Sequence, residues 1–123
     1  VMPQATDLRP FIPALDFAAS IDFYRQLGWS VNEVGAGLAL VEASEQHFYV
    51  QDFADRRVAE NTMLHFTVED AATWFDLVST QIAANPASGA RVQAPRREDY
   101  GALVTFVHDP AGVLLHFCQW DSA

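Results

Sequence analysis

Three of the four histidines stand directly before a phenylalanine, in His47-Phe48, His65-Phe66 and His116-Phe117, and each pair lies in a β-rich run. Side chains alternate across a strand, so each pair sends its two members to opposite faces. If the phenylalanines pack inward, the histidines all look out from the other side. Imidazoles converging on one surface are natural metal ligands and acid/base groups near neutral pH. They serve equally well as hydrogen-bonding groups in a polar lining, and both readings stand at this point. The same alternation places His47, Tyr49, Gln51 and Phe53 together on one strand. It adds Met63, His65 and Thr67 from a second, Leu114, His116, Cys118 and Trp120 from the last, and Arg9 and Phe11 from the first. Tyr100 and Trp120 offer flat faces on which a ligand can stack.

Other reactive side chains carry less. His108 sits at a turn and is expected to be exposed. Cys118 lies in an apolar strand, with nothing near it in sequence to depress its pKa, and reads as a small buried hydrophobe. The pairs Arg56-Arg57 and Arg96-Arg97 read as solvated loop charges. A glycine-rich phosphate loop, a Cys-x-x-Cys pair, a nucleophile elbow and a His-Glu-x-x-His helix are all absent from the sequence. No residue is therefore assigned a catalytic role.

These residues need a scaffold, and the chain spells one out twice. Leu8 to Ala14 reads as a strand that Pro10 and Pro13 confine to an edge. Asp16 is a helix N-cap, followed by Phe17, Ile21, Tyr24 and Leu27 at helical spacing and Gly28 as a left-handed stop. Strands follow at Trp29 to Val34, at Leu38 to Val41 beyond the Gly35-Ala36-Gly37 turn, and at His47 to Phe53. After a charged connector at 54–61 the order begins again. Met63 to Val68 is a strand, Asp70 an N-cap, and Ala71, Trp74, Phe75, Val78 and Ile82 a helical stripe stopped by Asn85-Pro86. A short strand at Ala90 to Ala94, a polar loop at Pro95 to Gly101, and a hairpin of Leu103 to Val107 and Val113 to Trp120 complete it. In the hairpin turn Asp109-Pro110-Ala111-Gly112, Pro110 presets φ and Gly112 accepts the positive φ of the exit.

The expected fold is α+β, a single domain over 1–123. Module one spans about 7–53 and module two about 62–120, each βαβββ. Each helix covers one face of its strands, so two modules form a curved mixed sheet around a concave cup. That is where a ligand belongs.

Charge and composition narrow the partner. Seven arginines and no lysine stand against 16 acidic residues, giving a net charge of −9. Such a surface repels nucleic acid and steers cations inward. No run approaches the roughly 18 apolar residues of a membrane span, and the N-terminal stretch Val1 to Asp7 lacks the apolar core of a signal sequence. One cysteine excludes an intramolecular disulfide, and the expected setting is the cytoplasm.

The stretch from Asp16 to Gly28, with Phe23-Tyr24 and Leu27-Gly28, resembles the first-helix signature of the vicinal oxygen chelate superfamily. Tyr100-Gly101 followed by Phe106 to Phe117 resembles its closing hairpin. That superfamily includes glyoxalase I, extradiol dioxygenases and bleomycin resistance proteins. The resemblance runs from about Leu8 to Trp120 and implies the paired-module fold. In the family's metal enzymes the ligands come from the first, fourth, fifth and last strands. Here those positions fall on Arg9, among His47, Tyr49 and Gln51, on Met63 and on His116. Arginine offers no lone pair, and the usual carboxylate is missing.

The resemblance therefore points to the metal-free, bleomycin-resistance-like members, which bind drugs in clefts at a dimer interface. It implies a homodimer that sequesters a small molecule, an antibiotic or other cationic drug, with no metal and no cofactor. The ligand-binding residues are then His47, Tyr49, Gln51, Phe53, His65, Tyr100, His116 and Trp120. The alternatives are a divalent-metal lyase or dioxygenase using His65 and His116, and a non-catalytic interaction module. The family's Trp-Gly is Tyr100-Gly101 here, followed by an apolar strand.

Overall fold

The computed structural model describes residues 1–122. Its first half runs β1 (Phe11–Ala14), α1 (Phe17–Gln26), β2 (Ser30–Gly35), β3 (Leu38–Ala43) and β4 (Gln46–Asp52). A short helix α2 (Arg56–Glu60) follows. The second half runs β5 (Met63–Thr67), α3 (Ala71–Ala84), a single 3-10 turn (Pro86–Ser88), β6 (Arg91–Val92), β7 (Arg96–Glu98), β8 (Ala102–His108) and β9 (Leu114–Trp120). The Asp16 carboxylate accepts from the Ala19 N–H at 3.1 Å and Asp70 from those of Ala72 and Thr73, so both long helices start where an orphan donor finds a side-chain acceptor.

Backbone hydrogen bonds divide the strands into two mixed sheets, ordered β1-β4-β3-β2 and β5-β9-β8-β6, with β7 also on β8. In each, the first strand of the half joins its last in parallel. A helix must lie between two parallel neighbours so joined. One face of each sheet is apolar: Ile12, Val41, Phe48 and Val50 in the first half and Val107, Leu115 and Phe117 in the second are all buried. These faces and the helices share one core. Trp29, just ahead of β2, sits at its centre, with ring centroids 5.3 Å from Phe66, 5.8 Å from Trp74 and 6.2 Å from Phe48. Phe117 stacks on Trp74 at 4.4 Å and on Phe66 at 5.3 Å.

One polar bond crosses this core. Tyr24 of α1 is fully buried and donates its hydroxyl to Asp109 Oδ2 at 2.6 Å. Asp109, 1% exposed, accepts at Oδ1 from the Ala111 and Val113 N–H groups at 2.9 and 3.0 Å. Gly112 leaves the turn at φ 97°, which a side chain resists. Burial pushes the Asp109 carboxyl up to about 6, opposed by the Tyr24 and backbone hydrogen bonds. Burial and then the neighbouring Asp109 charge push the Tyr24 phenol well above its usual value.

Four expectations change. β1 begins at Phe11, not Leu8: Pro10 has no N–H to donate, although its carbonyl still accepts from Tyr49 N at 2.8 Å. The 54–61 connector contains α2, capped by Asp55, which accepts from Val58 N. The polar loop from Pro95 contains β7, paired to β8 from Arg96↔Val104 to Glu98↔Ala102. His108 is half-buried rather than exposed, and burial followed by the nearby Arg91 charge lowers its pKa. No helix among the described residues is long and apolar enough to cross a membrane.

Candidate functional site

The sheet faces turned away from the helices carry two side-chain clusters. In the second half, parallel pairing sets His65 directly beside His116. Antiparallel pairing sets Phe106 on the other side of His116 and Ala102 beside Trp120. The rings then meet: His65 lies 6.0 Å from His116 and 5.8 Å from Trp120, Phe106 lies 4.9 Å from His116, and Tyr100 lies 5.7 Å from Trp120. Trp120 is steadied by donating Nε1–H to Thr67 Oγ1 at 3.2 Å. Beneath them Cys118 is fully buried with Ala102 and Val104, and burial pushes its thiol pKa up. Its side chain belongs to the packing of this face.

Burial, then the neighbouring His65, lowers the His116 pKa, with Glu98 opposing them. The shift favours the uncharged form of the His116 imidazole. Its Nε2 is buried with no hydrogen-bond partner among the described residues. A buried, unpaired ring nitrogen is costly unless something completes it. Desolvation, followed by the Glu98 charge, raises the Tyr100 pKa, so its hydroxyl stays a donor.

In the first half, β4 presents His47 and Tyr49 on the corresponding face, opposite buried Phe48 and Val50. Tyr49 stacks against Phe11 at 4.8 Å and accepts from Arg9 Nη1 at 2.9 Å. Arg9 Nε donates to Asp7 Oδ2 at 2.7 Å, while Asp7 Oδ1 meets His47 Nε2. The His47 bond, then that from Arg9, lowers the Asp7 pKa. The bonds to Tyr49 and then Asp7 raise that of Arg9. A groove of about 750 Å³ runs between the halves, lined by Asp7, Glu45, His47, Phe48, His65 and Phe66 among others.

The eight candidate residues thus separate. His65, Tyr100, His116 and Trp120 come together in one cluster; His47 and Tyr49 belong to the other, and His47 and His65 share the groove. Gln51, near the end of β4, and the half-exposed Phe53, just beyond it, are brought into neither. Three contributors escaped sequence reasoning. Arg96, read as a loop charge, lies 5.0 Å over the Phe106 ring and is tied to Glu98 at 2.9 Å. Phe106 faces the cluster because its alternation follows that of His116. Asp7 lies ahead of the first apolar run, where periodicity says nothing.

The positions the metal enzymes use do not fit a metal. Arg9 is a cation bonded to Asp7 and Tyr49, and Met63 is 63% exposed. His65 and His116 make a pair, and no group of three or more His, Cys, Asp or Glu side chains suited to a metal ion occurs among the described residues. Two imidazoles are a poor donor set for the hard divalent ions, which take oxygen ligands.

Two helix-covered mixed sheets, each pairing the first and last strands of its half in parallel, define the class of fold, and sequence comparison gives the family. Residues 8–117 match the model of the Glyoxalase/Bleomycin resistance protein/Dioxygenase superfamily, and the chain belongs to that family. A search of curated proteins by sequence finds no match. Among solved structures, the chain is similar to a bleomycin resistance determinant encoded on the transposon Tn5. That match has 20% identity and a TM-score of 0.77, covering 96% of this chain and 100% of the other. It is similar also to a bleomycin-binding protein complexed with bleomycin, at 21% identity and TM-score 0.77, covering 94% and 98%. A third is the bleomycin-binding protein of bleomycin-producing Streptomyces verticillus complexed with copper(II)-bleomycin, at 22% identity and TM-score 0.73, covering 99% and 100%. At these identities the likeness establishes the fold.

Proposed function

We propose that the protein is a metal-free, small-molecule-sequestering protein of the bleomycin-resistance type, acting by binding rather than catalysis. The observation that carries this reading is the cluster of His65, His116, Tyr100 and Trp120: aromatic, half-open, and holding an unpaired buried nitrogen at His116. A planar ligand stacks on such rings and completes that nitrogen, with no reacting group required. The net charge of −9 favours the approach of an antibiotic or other cationic drug. His47 and Tyr49 line the ligand's path on the other half; Gln51 stands farther along the same strand and Phe53 just beyond its end.

The reading includes a homodimer in which one 1–123 domain pairs with a second copy. Its modules, about 7–53 and 62–120, turn their outer faces toward the partner. Phe11, Met63, Tyr100 and Trp120, all about half-exposed or more, supply apolar surface for that contact. Light scattering at micromolar concentration is expected to return twice the 13.6 kDa chain mass. The ligand test is calorimetric titration of chelator-treated protein with bleomycin. Saturable binding that weakens in Trp120→Ala supports the reading. Binding or turnover that requires a stoichiometric metal overturns it.

A further inference from the structure

We infer that the Arg9–His47 corner of the groove is an oxyanion subsite in which Asp7 stands in for a ligand carboxylate. One carboxylate there serves two cationic or donor groups from two segments, Oδ2 toward Arg9 Nε at 2.7 Å and Oδ1 toward His47 Nε2. A free carboxylate would bridge the same pair with the same two oxygens.

Arg9 is tied to β4 and His47 belongs to it, whereas among the described residues the Asp7 side chain is hydrogen-bonded to these two donors alone. Arg9 is held by the Tyr49 hydroxyl at 2.9 Å, with its guanidinium carbon 5.7 Å from the Tyr49 ring centre. The next residue, Pro10, is locked to β4 through Tyr49 N at 2.8 Å. His47 stands two residues before Tyr49, on the same face of β4. Asp7, like Arg9, lies in the exposed segment ahead of β1, outside any helix or strand. Arg9 and Asp7 are each more than a third exposed, so exchange with a solvent-borne anion needs no opening of the core.

The adjoining groove explains how such a subsite selects. Asp7 is tethered, and a tethered group competes at a local concentration on the order of millimolar or above. A bare anion therefore displaces it poorly. An anion attached to a body that fills the space beside Phe48, Leu64 and Phe66 gains enough contact to do so. Glu45, also on the groove, disfavours a second negative charge. The class of ligand is thus a monocarboxylate with an apolar body. With the net charge of −9 steering cations, an amphoteric molecule satisfies both demands. The inference concerns this corner alone and holds independently of the drug class proposed above.

Benzoate and benzamidine are the probes, titrated into wild type, Asp7→Asn, Asp7→Asn/Arg9→Gln and His47→Gln. The readouts are calorimetry and the imidazole NMR signal of His47. Asp7→Asn is expected to bind benzoate about tenfold tighter than wild type, because its internal competitor is gone. Adding Arg9→Gln is expected to remove that gain. Benzamidine is expected to show no gain in Asp7→Asn. Equal benzoate affinity in wild type and Asp7→Asn overturns the inference, as does a gain that survives Arg9→Gln or one shared by benzamidine. All three substituted positions are at least partly exposed, and unchanged thermal unfolding of His47→Gln confirms that the corner can be altered in a folded protein.

Discussion

Replacing Tyr24 by Phe removes one oxygen from the bond that joins α1 to the β8–β9 turn. The Asp109 carboxyl it serves is 1% exposed and titrates at about 6, against an ordinary value of 3.8. That difference of about two units is worth about 3 kcal/mol at 1.36 kcal/mol per unit. Because the folded-state pKa is the higher one, the native state keeps this proton longer than the unfolded chain does. The stability it contributes is fully present below about pH 4 and is lost as pH rises through about 6. Above that, the Tyr24 hydroxyl donates to a charged acceptor, a bond worth roughly 1.5–3 kcal/mol; below about pH 4 it serves a neutral one, worth about 1 kcal/mol. Tyr24→Phe should therefore destabilise by about 2 kcal/mol near pH 7.5 and by about 1 kcal/mol near pH 4. Urea unfolding followed by the fluorescence of the partly buried Trp29 and Trp74 measures both. Asp109→Asn serves as control and should flatten the stability change between about pH 4 and 6. A Tyr24→Phe cost that is equal at both pH values, or an Asp109→Asn curve parallel to wild type, refutes the reasoning.

Other substitutions test the packing and the site. Phe117→Ala deletes a fully buried ring stacked on Trp74 and Phe66 and should cost about 3–5 kcal/mol in urea unfolding. Thr105→Val removes a buried hydroxyl that donates to the Ala71 carbonyl at 2.6 Å, and should cost about 1 kcal/mol. Asp70→Ala uncaps α3 and should cost about 1 kcal/mol by the same assay. His116→Phe should leave unfolding within about 1.5 kcal/mol of wild type, since the ring is only partly buried, while weakening bleomycin binding in calorimetry.

Much of the scaffold was readable because it rests on local signals. The stripe of Ile21, Tyr24 and Leu27 behind Asp16, and the Asp109 to Gly112 turn, need no partner to be recognised. Strand alternation likewise told His116 from Phe117 and put three histidines on outward faces. The elements that were missed carry little apolar signal. α2 is Arg-Arg-Val-Ala-Glu, and β7 is Arg-Arg-Glu, held in place by β8 rather than by burial of its own side chains. The joining of Tyr24 to Asp109 was equally hidden, since it spans 85 positions and depends on how the two halves dock. The Asp7–Arg9–His47 corner arises from the parallel pairing of β1 with β4, a tertiary fact with no sequence period.

The central claim is that the ring-lined outer face holds a small molecule without a protein-bound metal. Calorimetric titration of chelator-treated protein with bleomycin, alongside Trp120→Ala, addresses it most directly. The account predicts saturable binding by the metal-free wild type and a loss of about tenfold or more on removing the Trp120 ring, a stacking surface beside His65 and Tyr100. No binding by the metal-free protein, with binding restored on adding a divalent metal, would contradict it.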